Sequence, residues 1–298
     1  MFNHRRFTPL LLAAAFVLLI TGDAFAWGPV THTRLATELI GQLGLLPAAV
    51  AYALRRHATS FIFGNVAADV VLAKKLSRIK QYCHHWTTGF DLLERANSPR
   101  DQAFAYGYLC HLAADTVAHG HFIPHQLIIS NTTLNVGHVY WEMRADALLD
   151  ANHWRKFRQV MIADHEHHHD VLRGRLVHSL LPYQFNRKAF ERINRAVAGR
   201  FWQTGISTLS RASRWGLSGE SLVAYHADAI ERMKSVLIDL DRSPVLRDDP
   251  NGNAVLRQVK RFRQQARILT RRGVSVAMLR KEAAASVAPA IMLPAQVA

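Results

Sequence analysis

Apolar residues recur every three or four positions over most of the chain and strict alternation is scarce, so the pattern predicts an all-α protein. Leu35, Leu39 and Ile40 mark one helix over residues 31–45, and Pro47 opens a second over 47–56, where a missing amide hydrogen does no harm. A helix is expected over 101–118, rich in Ala, Leu and aromatic residues and preceded by Asn97-Ser98-Pro99. Another is expected over 136–157, with Trp141, Leu148 and Leu149 on one side. Further helices are expected over 160–180, 187–205, 219–240 and 254–271. Turn signals such as Leu181-Pro182 and Asp248-Asp249-Pro250-Asn251-Gly252 separate them. No internal repeat is visible.

The amino terminus does not fit this scheme. His4, Arg5 and Arg6 precede an apolar run from Leu10 to Ile20, which ends in Ala24-Phe25-Ala26. This is the layout of a secretory signal peptide over residues 1–26, with cleavage before Trp27. An apolar core of about eleven residues is short for a membrane anchor. The expected product is exported, periplasmic or secreted, and starts at Trp27. Its organisation is expected to be a helical domain over 27–240, then a linker, a basic amphipathic helix and a frayed tail over 241–298.

Composition narrows the chemistry. Of 298 residues 49% are hydrophobic and 20% charged, which excludes wholesale disorder. Two cysteines make neither a disulfide scaffold nor a cysteine-rich zinc module. Lys and Arg number 37 against 22 Asp and Glu, and the excess lies mostly beyond residue 186, which favours phosphate-bearing partners. Histidine, at 17 residues, is the unusual count, and it is concentrated before residue 187.

On the 101–118 helix, His111, Asp115 and His119 follow at i, i+4 and i+8 and so share one stripe. His138 and Glu142 repeat the spacing. Imidazole nitrogens and carboxylate oxygens are zinc ligands, and a spacing of four lets two of them meet one ion. One such pair is commonly only a surface hydrogen bond. Two pairs within a short stretch, with His32, Asp69, His84, His85, His121 and His125 nearby in sequence, are harder to explain without a cation, because buried ionisable groups need compensation.

The motifs then resemble a known family. Trp27-Gly28-Pro29-Val30-Thr31-His32, Gly64-Asn65-Val66-Ala67-Ala68-Asp69, His84-His85-Trp86, His111-Leu112-Ala113-Ala114-Asp115 and Gly137-His138-Val139-Tyr140-Trp141-Glu142 follow the zinc-dependent phospholipase C pattern in order, over roughly residues 27–150. The single-strand-specific zinc nucleases are related. The resemblance implies a phospholipase C/zinc-nuclease-like helical bundle around a multinuclear site of up to three zinc ions. One ion would take Asp69, a histidine of the His84–His85 pair, His111 and Asp115. A second would take the amino group and carbonyl of Trp27, freed by signal cleavage, with His32 and a bridging Asp115. A third would take His138, Glu142 and a histidine of the 119–121 stretch. His84 suits the spacing from Asp69, whereas His85 suits a ligand followed by an aromatic residue. His121 suits the family spacing after Asp115, whereas an unbroken helix would present His119, which is preferred.

The implied activity is metal-assisted hydrolysis of a phosphodiester, with Asp69 assisting proton transfer. The substrate would be a phospholipid at a membrane surface, and the products a diacylglycerol and a phosphorylated head group. Nucleic acid is the alternative substrate, and a non-catalytic metal-binding envelope protein the alternative class. No obligate protein partner is implied.

Several other features have two uses. His165, His167, His168 and His169 form either an exposed polar helix end or an accessory metal or head-group contact. Cys83 and Cys110, each preceding a candidate ligand, are a disulfide or two ordinary buried residues. Trp86, Tyr140 and Trp141 line a pocket or pack the core, the commoner use. The basic 187–272 region binds anionic surfaces or nucleic acid, or is simply solvated.

Overall fold

The computed structural model describes residues 27–72, 79 and 82–287. The expected signal peptide and residues 288–298 lie outside the described residues. Helices account for all the regular structure among them, as the hydrophobic period predicts.

The hub is α5, Pro99–Val117, which is buried almost continuously from Ala103 onward. Pro99 occupies its first turn and the Ser98 hydroxyl accepts the Asp101 amide at 3.1 Å, so its start is fixed by a cap. The helices before it in the chain are α1 (Pro29–Ile40), α2 (Ala48–Arg56), α3 (Ala58–Ala67) and α4 (Trp86–Glu94), and of these α3 packs most extensively against α5. Gly64 of α3 and Gly107 of α5 face each other at the crossing. A Cβ on Gly64 would strike the Phe104 carbonyl, and one on Gly107 the Phe61 carbonyl. Two backbones therefore touch where side chains would hold them apart, and this closeness lets groups at the ends of both helices share one cavity.

Past Val117 the chain widens into a π turn, Ala118–Phe122, and continues as α6, Ile123–Ser130. Next come α7 (Leu134–Ala147) and α8 (Ala151–Ile162). The single helix expected over 136–157 is thus divided, because the Asp150 carboxylate accepts the amides of Asn152 and His153 at 2.8 and 3.1 Å and starts a new helix. Then follow α9 (Glu166–Arg175), α10 (Tyr183–Val197), α11 (Arg200–Ala212) and α12 (Gly219–Asp239), the last lying along α5 and α1. The expected helix over 187–205 is likewise divided at Ala198-Gly199.

Residues 241–252 form short turns held onto the body. Trp86 Nε1 donates to the Asp248 carbonyl at 3.0 Å, and Asn251 Nδ2 donates to the His84 carbonyl at 3.2 Å. The described residues end in α13 (Asn253–Arg271) and α14 (Ala277–Val287), both of which pack on α6.

Candidate metal centre

Helix α5 supplies His111 and Asp115, one turn apart and wholly buried. Three imidazoles surround the Asp115 carboxylate: His111 Nε2 at 3.1 Å, His84 Nε2 at 3.3 Å and His32 Nε2 at 3.3 Å. His32 comes from the first turn of α1, and His84 from a short turn, Tyr82–His84, before α4. Asp69, on the turn that ends α3, completes the group, with its carboxylate 3.2 Å from His84 Nε2 and 3.9 Å from His111 Nε2. The His32 and His111 rings stack at 4.1 Å between centroids.

The fit to a cation is decided at His111. Its Nδ1 lies 2.8 Å from the Asn65 carbonyl, which can only accept, so Nδ1 carries the hydrogen. In the neutral ring Nε2 then holds a lone pair, directed at an Asp115 oxygen and at His84 Nε2, 3.1 Å away. Burial, and then the neighbouring His111, push the His32 pKa down, so this ring stays neutral. Burial alone would raise the Asp115 pKa, but His111, His32 and His84 hold it well below the carboxylate range. A divalent metal would take the place of the ring protons that face Asp115, leaving neutral imidazoles around an ionised carboxylate. Two overlapping triads, His32–Asp69–His111 and His84–His111–Asp115, have ligand atoms close enough to hold an ion.

A second cluster lies beyond the π turn. His119 is buried with its ring against His138, 4.9 Å between centroids, and His138 Nε2 is 3.2 Å from Glu142 Oε1. The π turn carries His121 to another side, where its Nδ1 faces the Val287 carbonyl of α14 at 2.9 Å. The contacts of the first cluster likewise run through His84, while His85 is half-buried at the cap of α4. His125 is partly buried beside Gln126.

The Trp27 side chain is fully buried, stacked on Phe122 at 4.5 Å and edge-on to His226 at 5.2 Å. The α1 helix that follows is held by Asp146 of α7, whose carboxylate accepts the Thr31 amide at 2.9 Å and hydroxyl at 2.6 Å. Neither Asp146 nor the Asn65 carbonyl is picked out by the sequence. A backbone acceptor leaves no trace in residue type, and Asp146 shows itself only as an acid one turn after Glu142.

Residues 31–188 match the family model described as zinc dependent phospholipase C. The chain belongs to that family. No curated protein and no solved structure matches it. For a zinc-dependent phospholipase C, the buried His/Asp clusters are where zinc can be held. Membership supports a phosphodiesterase-type hydrolase.

The remaining expectations resolve locally. Among the 165–169 histidines only His167 is exposed, paired with Asp101 at 2.6 Å, while His165, His168 and His169 are buried against Phe63 and Phe104. They are therefore core residues rather than an exposed helix end. Both cysteines are buried free thiols, and burial raises the Cys110 pKa well above its ordinary value. Trp141 is a core residue whose Nε1 donates to Ser130 Oγ at 3.2 Å. Tyr140 hydrogen-bonds Ser213 and accepts from Arg144 Nη1 at 2.9 Å. No described helix is long and apolar enough to cross a membrane.

Proposed function

We propose that this protein is an exported phospholipase C that cleaves the phosphodiester of a phospholipid into a diacylglycerol and a phosphorylated head group. The observation that carries the reading is a pocket beside the metal centre. Asp69 and Glu142 line it together with Leu72, Val139, Met143, Ile193 and Trp202. A phosphate seated among the cluster residues would place the adjoining glycerol and acyl carbons against this apolar wall. Among the described residues the wall offers no Lys or Arg for a nucleic-acid backbone, which favours lipid over a single strand.

In this reading Asp69, His84, His111 and Asp115 would hold one zinc ion. Trp27 main-chain atoms, His32 and Asp115 would hold a second, and His119, His138 and Glu142 a third. Zinc at such a site supplies a Lewis acid for the phosphate oxygens and lowers the pKa of water. Asn65 fixes the His111 ring through Nδ1 and so directs Nε2 inward. Asp69, at the pocket wall, would be the carboxylate that assists proton transfer from water. Cleavage before Trp27 frees the amino group that completes the second ligand set, so export and activation coincide.

The test is elemental analysis of the purified mature protein, paired with turnover of phosphatidylcholine micelles and of single-stranded DNA. Zinc with lipid cleavage is expected, and an extra residue before Trp27 is expected to lower both. Cleavage of DNA alone would overturn the lipid reading. Stoichiometric zinc without turnover of even a chromogenic phosphodiester would leave a non-catalytic metal protein.

A further inference from the structure

The carboxy-terminal helices carry an unusual charge pattern. Residues 251–281 contain nine Arg and Lys and no Asp or Glu. Helix α13 turns Val259 and Ala266 inward, both about 2% exposed, with Phe262 partly buried between them. At 100° per residue, Arg257, Arg261, Ile268 and Arg272 fall on the opposite side, and all four are exposed. This outer face has no acidic neighbour on its own helix, so its cations repel one another with nothing on that helix to compensate.

Apolar side chains accompany the charge. Ile268 is 51% exposed, Val274 at the bend after α13 is 47%, and Met278 and Leu279 at the start of α14 are 69% and 42%. Cations with protruding aliphatic residues among them, and no exposed large aromatic ring, match an anionic bilayer better than a nucleic acid, which is gripped by stacking rings. The position is also informative. The Gly252 backbone, at the start of α13, packs against His119, and Lys260, Arg263 and Arg267 share a groove with Val136, two residues before His138. Arg263 Nη2 donates to the Asn131 carbonyl at 3.1 Å and ties the helix to the end of α6, just before α7.

We infer that the outer face of α13 and the α13–α14 bend form a docking surface for anionic lipid bilayers. Resting on the phospholipase reading, the surface would present the metal centre to lipid: Arg257, Arg261 and Arg272 contact head groups while Ile268, Val274 and Met278 enter the boundary with the acyl chains.

The experiment is sedimentation of the protein with vesicles of phosphatidylcholine alone or mixed with phosphatidylglycerol, at low and high salt. Binding is expected only to the mixed vesicles, and salt is expected to weaken it. The triple variant Arg257→Gln, Arg261→Gln, Arg272→Gln is expected to lose binding by roughly a hundredfold, about fivefold per cation. Met278→Ser is expected to weaken it with little change in salt dependence. Turnover of a soluble chromogenic phosphodiester should not change in these variants. Equal binding to both vesicle types, or full binding by the triple variant, would overturn the docking surface. So would binding of single-stranded DNA through the same arginines without vesicle binding. Normal vesicle binding without phospholipid cleavage would instead overturn the substrate reading and leave the surface standing.

Discussion

Asp146 and Thr31 lie 115 positions apart in the chain, yet one carboxylate oxygen of Asp146 accepts both the amide and the hydroxyl of Thr31. A side chain of α7 therefore caps α1, the helix that carries His32. Burial pushes the Asp146 pKa up to about 7 against these hydrogen bonds. There is no room for a larger residue at Gly28, where an added Cβ would collide with the Asp146 carboxylate. Asp146→Leu strands the Thr31 amide and is expected to cost about 1–3 kcal/mol of stability. It should also reduce zinc per chain by loosening His32. A denaturant midpoint and a zinc assay on the same sample check both, and Gly28→Ala should act in the same direction.

Asp115 faces three imidazoles, whereas each imidazole faces only part of the cluster. Asp115→Asn is expected to remove more metal than His32→Gln, since the lost charge serves every ring around it. Metal content after dialysis against a mild chelator separates the two. Equal losses would show that the carboxylate does not join the sites.

Gly107 lies where α5 meets the Phe61 carbonyl of α3, and the obstacle is backbone that cannot rotate aside. Gly107→Ala is expected to part the two helices at a cost of about 1–3 kcal/mol, despite alanine's better helix propensity. The separation should also weaken the His111 to Asn65 hydrogen bond. A lowered melting temperature together with a lowered zinc affinity is the expected pair of readouts.

Much of the architecture and most of the candidate ligands are legible in the residues. The i, i+4 spacing of His111–Asp115 and His138–Glu142 needs only helical geometry, and both pairs are buried and close in space. Helix boundaries are less legible, because a carboxylate such as Asp150 can open a new helix within an unbroken apolar pattern. The preference for His119 over His121 rests on an unbroken helix, and the break is what the sequence hides. A π turn shifts the phase of everything after it, and no residue type announces one. The 165–169 histidines read as polar by composition alone, but Phe63 stacks on the His165 ring at 3.6 Å and makes it part of the core.

That core has a pH limit. Burial, then nearby Arg100, lowers the His168 pKa to about 3, and burial with Arg187 lowers that of His169 to about 4. Both are neutral when folded but take a proton near pH 6.5 when unfolded. Their contribution to stability is therefore full above about pH 6.5 and falls as acid approaches the folded values. Melting temperatures from neutral to about pH 5 should drop less for His168→Phe than for the unmodified protein. Parallel curves would mean that this ring does not titrate between the two states.

The reduced thiols of Cys83 and Cys110 bear on how the molecule matures. With the chain's only two sulfhydryls uncrosslinked, no covalent staple secures the cavity, and folding makes no demand on an oxidant or an isomerase. In the proposed reading, a bound ion would be what ties the imidazole and carboxylate cluster together. Recovery from denaturant should then follow the supply of divalent metal and be indifferent to the redox buffer.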